Sequence, residues 1–169
     1  MVRTLQSWYT FPMTEINEPI FIADGLDAPR PELPFVERDA ITAMLRNPKT
    51  GKYLGLRWKK IDWDTFITGG PEGDQTAEEG ARMEIYEETG YKNIRLTKEL
   101  PRFHSKFYHH PKGLNRFAHF SSFLFELENE ERDPISDEEK EKHDSVWLDE
   151  KELQHFRLPE GHRFLLSYI

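Results

Sequence analysis

Three glutamates near the middle of the chain are spaced so that they can act together. The stretch Thr76-Ala77-Glu78-Glu79-Gly80-Ala81-Arg82-Met83-Glu84-Ile85-Tyr86-Glu87-Glu88-Thr89 has helical period and few β-branched residues, and Gly90 supplies a C-terminal stop. At 3.6 residues per turn, Glu84, Glu87 and Glu88 fall on one face within an arc of about 100°. Carboxylates spaced in this way repel one another and weaken their helix. A hard divalent cation removes that cost, because magnesium takes oxygen ligands, keeps several waters and bridges to substrate phosphates. A solvated acidic face is the other reading of such a cluster. The segment before the helix, Gly69-Gly70-Pro71-Glu72-Gly73-Asp74-Gln75, is rich in glycine. A Gly-Gly turn between a strand and a helix lets backbone approach a ligand without Cβ obstruction.

Those residues need a sheet to hold them. Phe35–Leu45 contains a strand, ended by the turn Asn47-Pro48-Lys49-Thr50-Gly51. The alternating run Lys52–Trp58 pairs back as a hairpin, and Trp63–Thr68 is a third strand candidate. Further strands are expected over Asn93–Leu100, Arg102–His109, Arg116–Leu127 and Ser145–Leu148, with closing helices over Glu150–Phe156 and Pro159–Tyr168. The stretch Glu126–Glu141, with nine acids against Arg132 and Lys140, reads as a solvated loop. Strands, helix, strands and helices in that order suggest an α+β layered sandwich with a mixed sheet. Residues 1–34 carry Pro12, Pro19, Pro29, Pro31 and Pro34, a density that forbids a long helix. They read as an extended arm with one short strand at Pro19–Ala23, covering the sheet edge or supporting a dimer.

Composition narrows the chemistry. The 169 residues suit one domain. With no cysteine, disulfides, zinc–thiolate sites, iron–sulfur clusters and thiol nucleophiles are excluded. A net charge of −8 argues against a protein that grips nucleic acid by charge alone, although bound divalent ions reverse the local sign at carboxylates. No apolar run approaches the ~18–20 residues of a membrane span, and the N-terminus has no apolar signal core. A soluble cytoplasmic protein is expected.

The central segment resembles the Nudix box, the signature of the Nudix hydrolase superfamily. The box runs glycine, five residues, glutamate, seven residues, then Arg-Glu-apolar-x-Glu-Glu-x-Gly-apolar. This chain supplies Gly69, Glu84, Ile85, Glu87, Glu88, Gly90 and Tyr91, but has Gln75 in place of the first glutamate and Met83 in place of the arginine. Arg82 is adjacent but about 100° away round the helix. If the usual glutamate and arginine support each other, losing both leaves no orphan charge. The resemblance implies an α/β/α sandwich that uses Mg2+ or Mn2+ to hydrolyse a nucleoside diphosphate linked to another moiety. It implies Glu87 and Glu88 as metal ligands, Glu84 as ligand or base, the Gly69 carbonyl as a further ligand, and residues 35–169 as the hydrolase domain. A glutamate from a later loop often joins such a site; Glu141 is the choice here, with Glu138 and Glu139 as rivals. The two departures also support an alternative, a catalytically weak or inactive scaffold that binds nucleotide or RNA.

Candidate substrate contacts flank the box. Arg57, Trp58, Lys59 and Lys60 end the preceding strand, where cations can hold phosphate and the indole can stack on a base. The segment Phe103–His119 holds four of the seven histidines, with Phe107 and Tyr108 as stacking candidates and Arg116 as a phosphate candidate. His109 and His110 point to opposite faces of a strand and do not share a metal. Segments in Phe35–Leu153 are also similar to Nudix-like segments of some bacterial leucyl-tRNA synthetases, which would make tRNA or a synthetase the partner.

Overall fold

The structure is a computed structural model and describes residues 18–169. The first half of the expected arm therefore lies outside the described residues. Eight strands form one sheet: β1 (Ile20–Ile22), β2 (Phe35–Arg46), β3 (Tyr53–Trp58), β4 (Asp64–Thr65), β5 (Ile67–Gly69), β6 (Ile94–His109), β7 (Leu114–Leu127) and β8 (His143–Leu148). Four helices accompany them: α1 (Ala77–Thr89), α2 (Asp137–Lys142), α3 (Glu150–His155) and α4 (Glu160–Leu165). The main path runs β1-β6-β7-β2-β3-β4, with β5 beside β2 and β8 beside β3. β1 is parallel to β6 and β2 to β7, while the other pairs are antiparallel, so the sheet is mixed as expected.

Alternation along β2 divides the core. Ile41, Ala43 and Leu45 pack with Ala81 and Ile85 of α1 on one face. Ala40 and Met44 pack with Phe103, Phe120, Leu153, Phe156 and Leu165 on the other. A strand presents successive side chains to opposite faces, and both faces of β2 are apolar, so helices must cover both. The result is the expected α/β/α sandwich.

Several local expectations change. The two strands read over Asn93–Leu100 and Arg102–His109 are one strand, β6, with register shifts between Leu96 and Lys98 and between Leu100 and Phe103. Pro101 lacks a donor and lies at the second shift, where a bulge tolerates it. The strand read over Trp63–Thr68 splits in two at Phe66. This fully buried residue donates its amide to His162 Nδ1 at 3.2 Å rather than to a neighbouring strand. The hairpin partners β2 and β3 pair only at Arg46 and Tyr53, because β5 pairs β2 over Ile41–Ala43. β3 instead pairs β8 over six residues.

Candidate active site

The acidic helix is anchored at both ends. Thr76 accepts from the Glu79 amide, Glu79 accepts from the Thr76 amide at 2.8 Å, and Gly90 closes the C-terminus at φ 77°. This reciprocal cap satisfies first-turn donors and leaves the last turn free for function. Arg82 fastens the helix to the sheet, donating to the Ile94 carbonyl at 3.1 Å and to Glu78 at 2.9 Å.

The strand-to-helix loop meets that last turn. The Gly70 amide faces Glu84 Oε1 at 3.4 Å. A Cβ at Gly69 would overlap the Glu84 carboxylate, and one at Gly70 would overlap the Arg38 guanidinium. Both glycines are thus required by close approach. Burial, opposed by the Gly70 amide and reinforced by Glu87, pushes the Glu84 carboxyl up to about 7. Glu88 is buried at 5 % exposure. Its carboxyl is pushed well above the ordinary range by burial, then by Glu84 and Glu139, against the opposing Thr68 amide. Glu87 is exposed.

The stretch read as a solvated loop contains α2, and α2 brings a fourth acid to the site. Ser136 caps this helix by accepting from the Glu139 amide at 3.1 Å. Glu139 does not turn back to the cap as Glu79 and Glu152 do. It contacts Lys142 at 2.8 Å and His143 Nε2 at 3.2 Å. One ligand atom from each of Glu88, Glu139 and His143 lies within 4.8 Å of the others. Glu141 and Glu138 are exposed, and neither is in this group. The sequence carried a signal for this, since Ser136-x-x-Glu139 spells a helix start and Glu139 stands four residues before His143. His143 itself went unnoticed. Its ring is buried, burial lowers its pKa against the pull of Glu139, and Nδ1 has no partner among the described residues.

These residues fit a divalent ion. Glu88 Oε2 is buried without a hydrogen-bond partner among the described residues, a state that costs free energy unless something fills it. The donors are carboxylate oxygens and one imidazole nitrogen, a set that Mg2+ accepts in part and Mn2+ accepts whole.

Two arginines stand nearby. Arg38, beside Gly70, donates among the described residues only to its neighbour's carbonyl, Asp39 O, at 3.3 Å. Arg116 is buried at 6 % exposure with Nε unpartnered among the described residues. Burial and then Arg38 lower its pKa. Arg38 was missed in the sequence, although it shares a face with Val36 and Ala40 at the end of β2. On the sheet face covered by α4, a cavity of about 290 Å³ is lined by Phe21, Trp63, Thr68, Phe107 and His162 among others. Thr68 joins this cavity to the acids, since its backbone amide faces Glu88.

The remaining candidates scatter. Trp58 donates to Thr65 Oγ1 at 2.8 Å and packs edge-on against His143 at 5.1 Å, so it buttresses the site rather than offering an open face. Arg57 lies over Phe156 at 5.5 Å, Lys60 is exposed, and Tyr108 lies under Arg30 at 4.6 Å. Phe107 lines the cavity. Gln75 accepts from the Glu72 amide at 3.0 Å. Met83 is 44 % exposed, and the two residues border one shallow concavity outside α1.

A family model for the NUDIX domain matches residues 36–168. The chain belongs to the NUDIX family. Similar solved structures include the Escherichia coli dihydroneopterin triphosphate pyrophosphohydrolase, with TM-score 0.62, 18 % identity, and 80 % of this chain and 97 % of that chain covered. The MutT protein of Methanosarcina mazei Go1 follows at 0.55, 19 %, 80 % and 94 %. A Caenorhabditis elegans Ap4A hydrolase follows at 0.55, 15 %, 78 % and 95 %. No curated protein sequence matches the chain.

Proposed function

We propose that the protein hydrolyses a diphosphate linkage in a nucleoside diphosphate joined to another moiety, with Mg2+ or Mn2+ held by Glu87, Glu88, Glu84, Glu139 and the Gly69 carbonyl. The observation that carries this reading is the buried, unpartnered oxygen of Glu88 facing Glu139 and His143. The pyrophosphatase names of the similar structures support the bond type.

When bound, the ion neutralises the diphosphate and lowers the pKa of a coordinated water. The chain's own groups do the rest. Glu84, whose carboxyl burial pushes up to about 7 in the absence of an ion, would be ionised beside the bound ion and takes the proton of the attacking water at its free oxygen. Glu139 from α2 takes the place expected of Glu141. Arg38 and Arg116 hold the phosphate oxygens, since two guanidiniums without carboxylate partners among the described residues are matched to a phosphate fork. The loop glycines let the phosphate approach the backbone. The apolar cavity behind Thr68 takes the nucleoside, with Phe107 and Trp63 against the base.

The test is metal-dependent release of a nucleoside monophosphate across a panel of nucleotides. Glu87→Gln and Glu88→Gln should lose turnover, and equal activity in both removes the metal assignment. Gln75, in the loop before α1, and Met83, on α1, border one concavity and favour a second reading, a weakened enzyme acting as a binding module. Restoring Gln75→Glu with Met83→Arg distinguishes the two. A large gain in turnover supports the weakened site, and no gain supports the full enzyme.

A further inference from the structure

Two histidines away from the carboxylates form a chain whose proton count is fixed by geometry. β6 and β7 set His104 directly opposite His119. Their Nδ1 atoms are 2.8 Å apart. His104 Nε2 faces Glu18 Oε2 at 2.8 Å, and His119 Nε2 faces Glu37 Oε2 at 3.0 Å. An ionised carboxylate only accepts, so each Nε2 carries a proton, and the bond between the Nδ1 atoms needs one more. Three hydrogen bonds thus require three protons on four nitrogens, where two neutral rings supply two. With all three contacts protonated the pair carries one positive charge, shared between the rings. A fourth proton sets two N–H groups head to head and adds a second positive charge. Removal of the third leaves one of the three contacts without its proton. The chain is complete in one protonation state only.

Among the described residues the other charged groups around it are few. Arg102 on β6 lies 3.8 Å from Glu18. Lys106, also on β6, sits over the rings of Phe35 and Phe117 at 5.2 and 4.6 Å. The Phe117 ring lies 4.5 Å from that of His119. From β2 come Glu37 and Asp39, the latter in register with His119, while Arg38 turns to Gly70.

Glu18 opens the segment that this chain fastens. Beyond it the Pro19 carbonyl accepts from the His104 amide at 2.8 Å, and the Ala23 amide donates to Lys106 O at 2.9 Å. Between them β1 meets β6 over only three residue pairs. The segment then lends Phe21, Ile22, Ala23, Asp24 and Asp27 to the wall of the cavity. A second tie, Asp27 to His110 at 2.8 Å, holds its far end.

We propose that Glu18, His104, His119 and Glu37 form a proton-dependent latch that holds β1 against the sheet and so keeps the cavity wall in place. The effect on substrate rests on the reading above that this cavity takes the nucleoside. The latch itself does not, and its test uses no substrate. Long-range nitrogen–proton NMR of the full chain counts the protons on the two rings. Hydrogen exchange of residues 20–23, corrected for the intrinsic effect of pH, reports the docking of β1. The expected result is three protons over the two rings at the pH where β1 is best protected, with protection falling as the count moves to two or to four. Glu18→Gln should speed exchange of β1 by about tenfold, the scale of a hydrogen bond to a charged group. His119→Gln should flatten the pH profile while β7 amides stay protected, which shows that the variant is folded. β1 protection that is greatest at two or at four protons over the pair, or that follows the same pH course in wild type and His119→Gln, overturns the latch. Loss of metal-dependent hydrolysis with these results intact would instead overturn the catalytic reading and leave the latch standing.

Discussion

Without divalent ions, raising the pH should destabilise the protein through Glu84. Its folded carboxyl sits at about 7 against an ordinary 4.5, so the folded state holds the proton more tightly than the unfolded one. The stability this lends is full below the unfolded value, fades through the interval and is gone above about 7. At 1.36 kcal/mol per pK unit the shift corresponds to at most about 3 kcal/mol. Glu84 is only partly buried and water screens it, so about 1–2 kcal/mol is expected. For a chain of this size that is a fall in Tm of about 2–8 °C between about pH 5 and pH 8. Glu88, with its carboxyl also raised, adds loss of the same sign. His162 runs the other way. Burial holds it down to about 3, so its contribution is present above the ordinary value of 6.5 and is lost as pH falls. The quantity to read is therefore the difference between wild type and Glu84→Gln, by calorimetry in a chelator across this range. Excess Mn2+ should then restore the Tm at pH 8, since an ion at a hundredfold its Kd adds about 2.7 kcal/mol. If the two proteins lose or gain stability in parallel from pH 5 to pH 8, the environment assigned to Glu84 is wrong.

Three further outcomes follow from the same geometry. Glu139→Gln should weaken Mn2+ binding by about tenfold or more, while Glu141→Gln leaves it unchanged, measured by titration calorimetry. Arg116→Met removes a buried cation without a carboxylate partner among the described residues, so denaturant unfolding should show about 1 kcal/mol of added stability while KM for nucleotide rises. Gly70→Ala sets a Cβ into the Arg38 guanidinium, and should cost about 1–3 kcal/mol, with relief when Arg38→Ala is added.

The layers of the fold were legible because periodicity reports burial directly. Alternation in β2 and the 3.6 period of α1 are local properties, and both persist in the structure. The glutamate positions on α1 were legible for the same reason, because one helical turn fixes their common face. What joins them was not. Glu139 reaches Glu88 only because β8 pairs β3 in register from His143 to Tyr53, which brings α2 against the end of α1. The Ser136-x-x-Glu139 pattern marks a helix start among the nine acids, but only its tertiary neighbours His143 and Glu88 show that Glu139 turns inward. Trp58 misled for a related reason. An indole at a strand end reads as open, and only the tertiary position of His143 closes its face. Pro101 failed to end a strand and Phe66 split one, both at positions where long-range partners, rather than local propensity, decide the backbone.

The charges at the site are unusual for what they decline to do. Glu139 pairs with Lys142 at 2.8 Å, but Glu84, Glu88, Arg38 and Arg116 make no ion pair among the described residues, while elsewhere neighbouring acids and bases do: Arg46 with Glu126 at 2.8 Å, Lys92 with Asp133 at 3.0 Å, Arg82 with Glu78 at 2.8 Å. Arg38 is near enough to Glu84 to lower its pKa, yet the two make no ion pair among the described residues, and the Gly69–Gly70 backbone lies against both. An ion pair there would relieve the burial of Glu84 and would also quench both groups. Keeping them separate leaves one cluster of acids short of a cation and one pair of guanidiniums short of an anion. A metal ion alone satisfies the first, and phosphate alone satisfies the second. A phosphate that shares the metal satisfies both at once, so each should bind more tightly in the presence of the other. Removing the separation, by a side chain at Gly70 or by loss of Arg38, should abolish that mutual tightening before it abolishes the binding of either one.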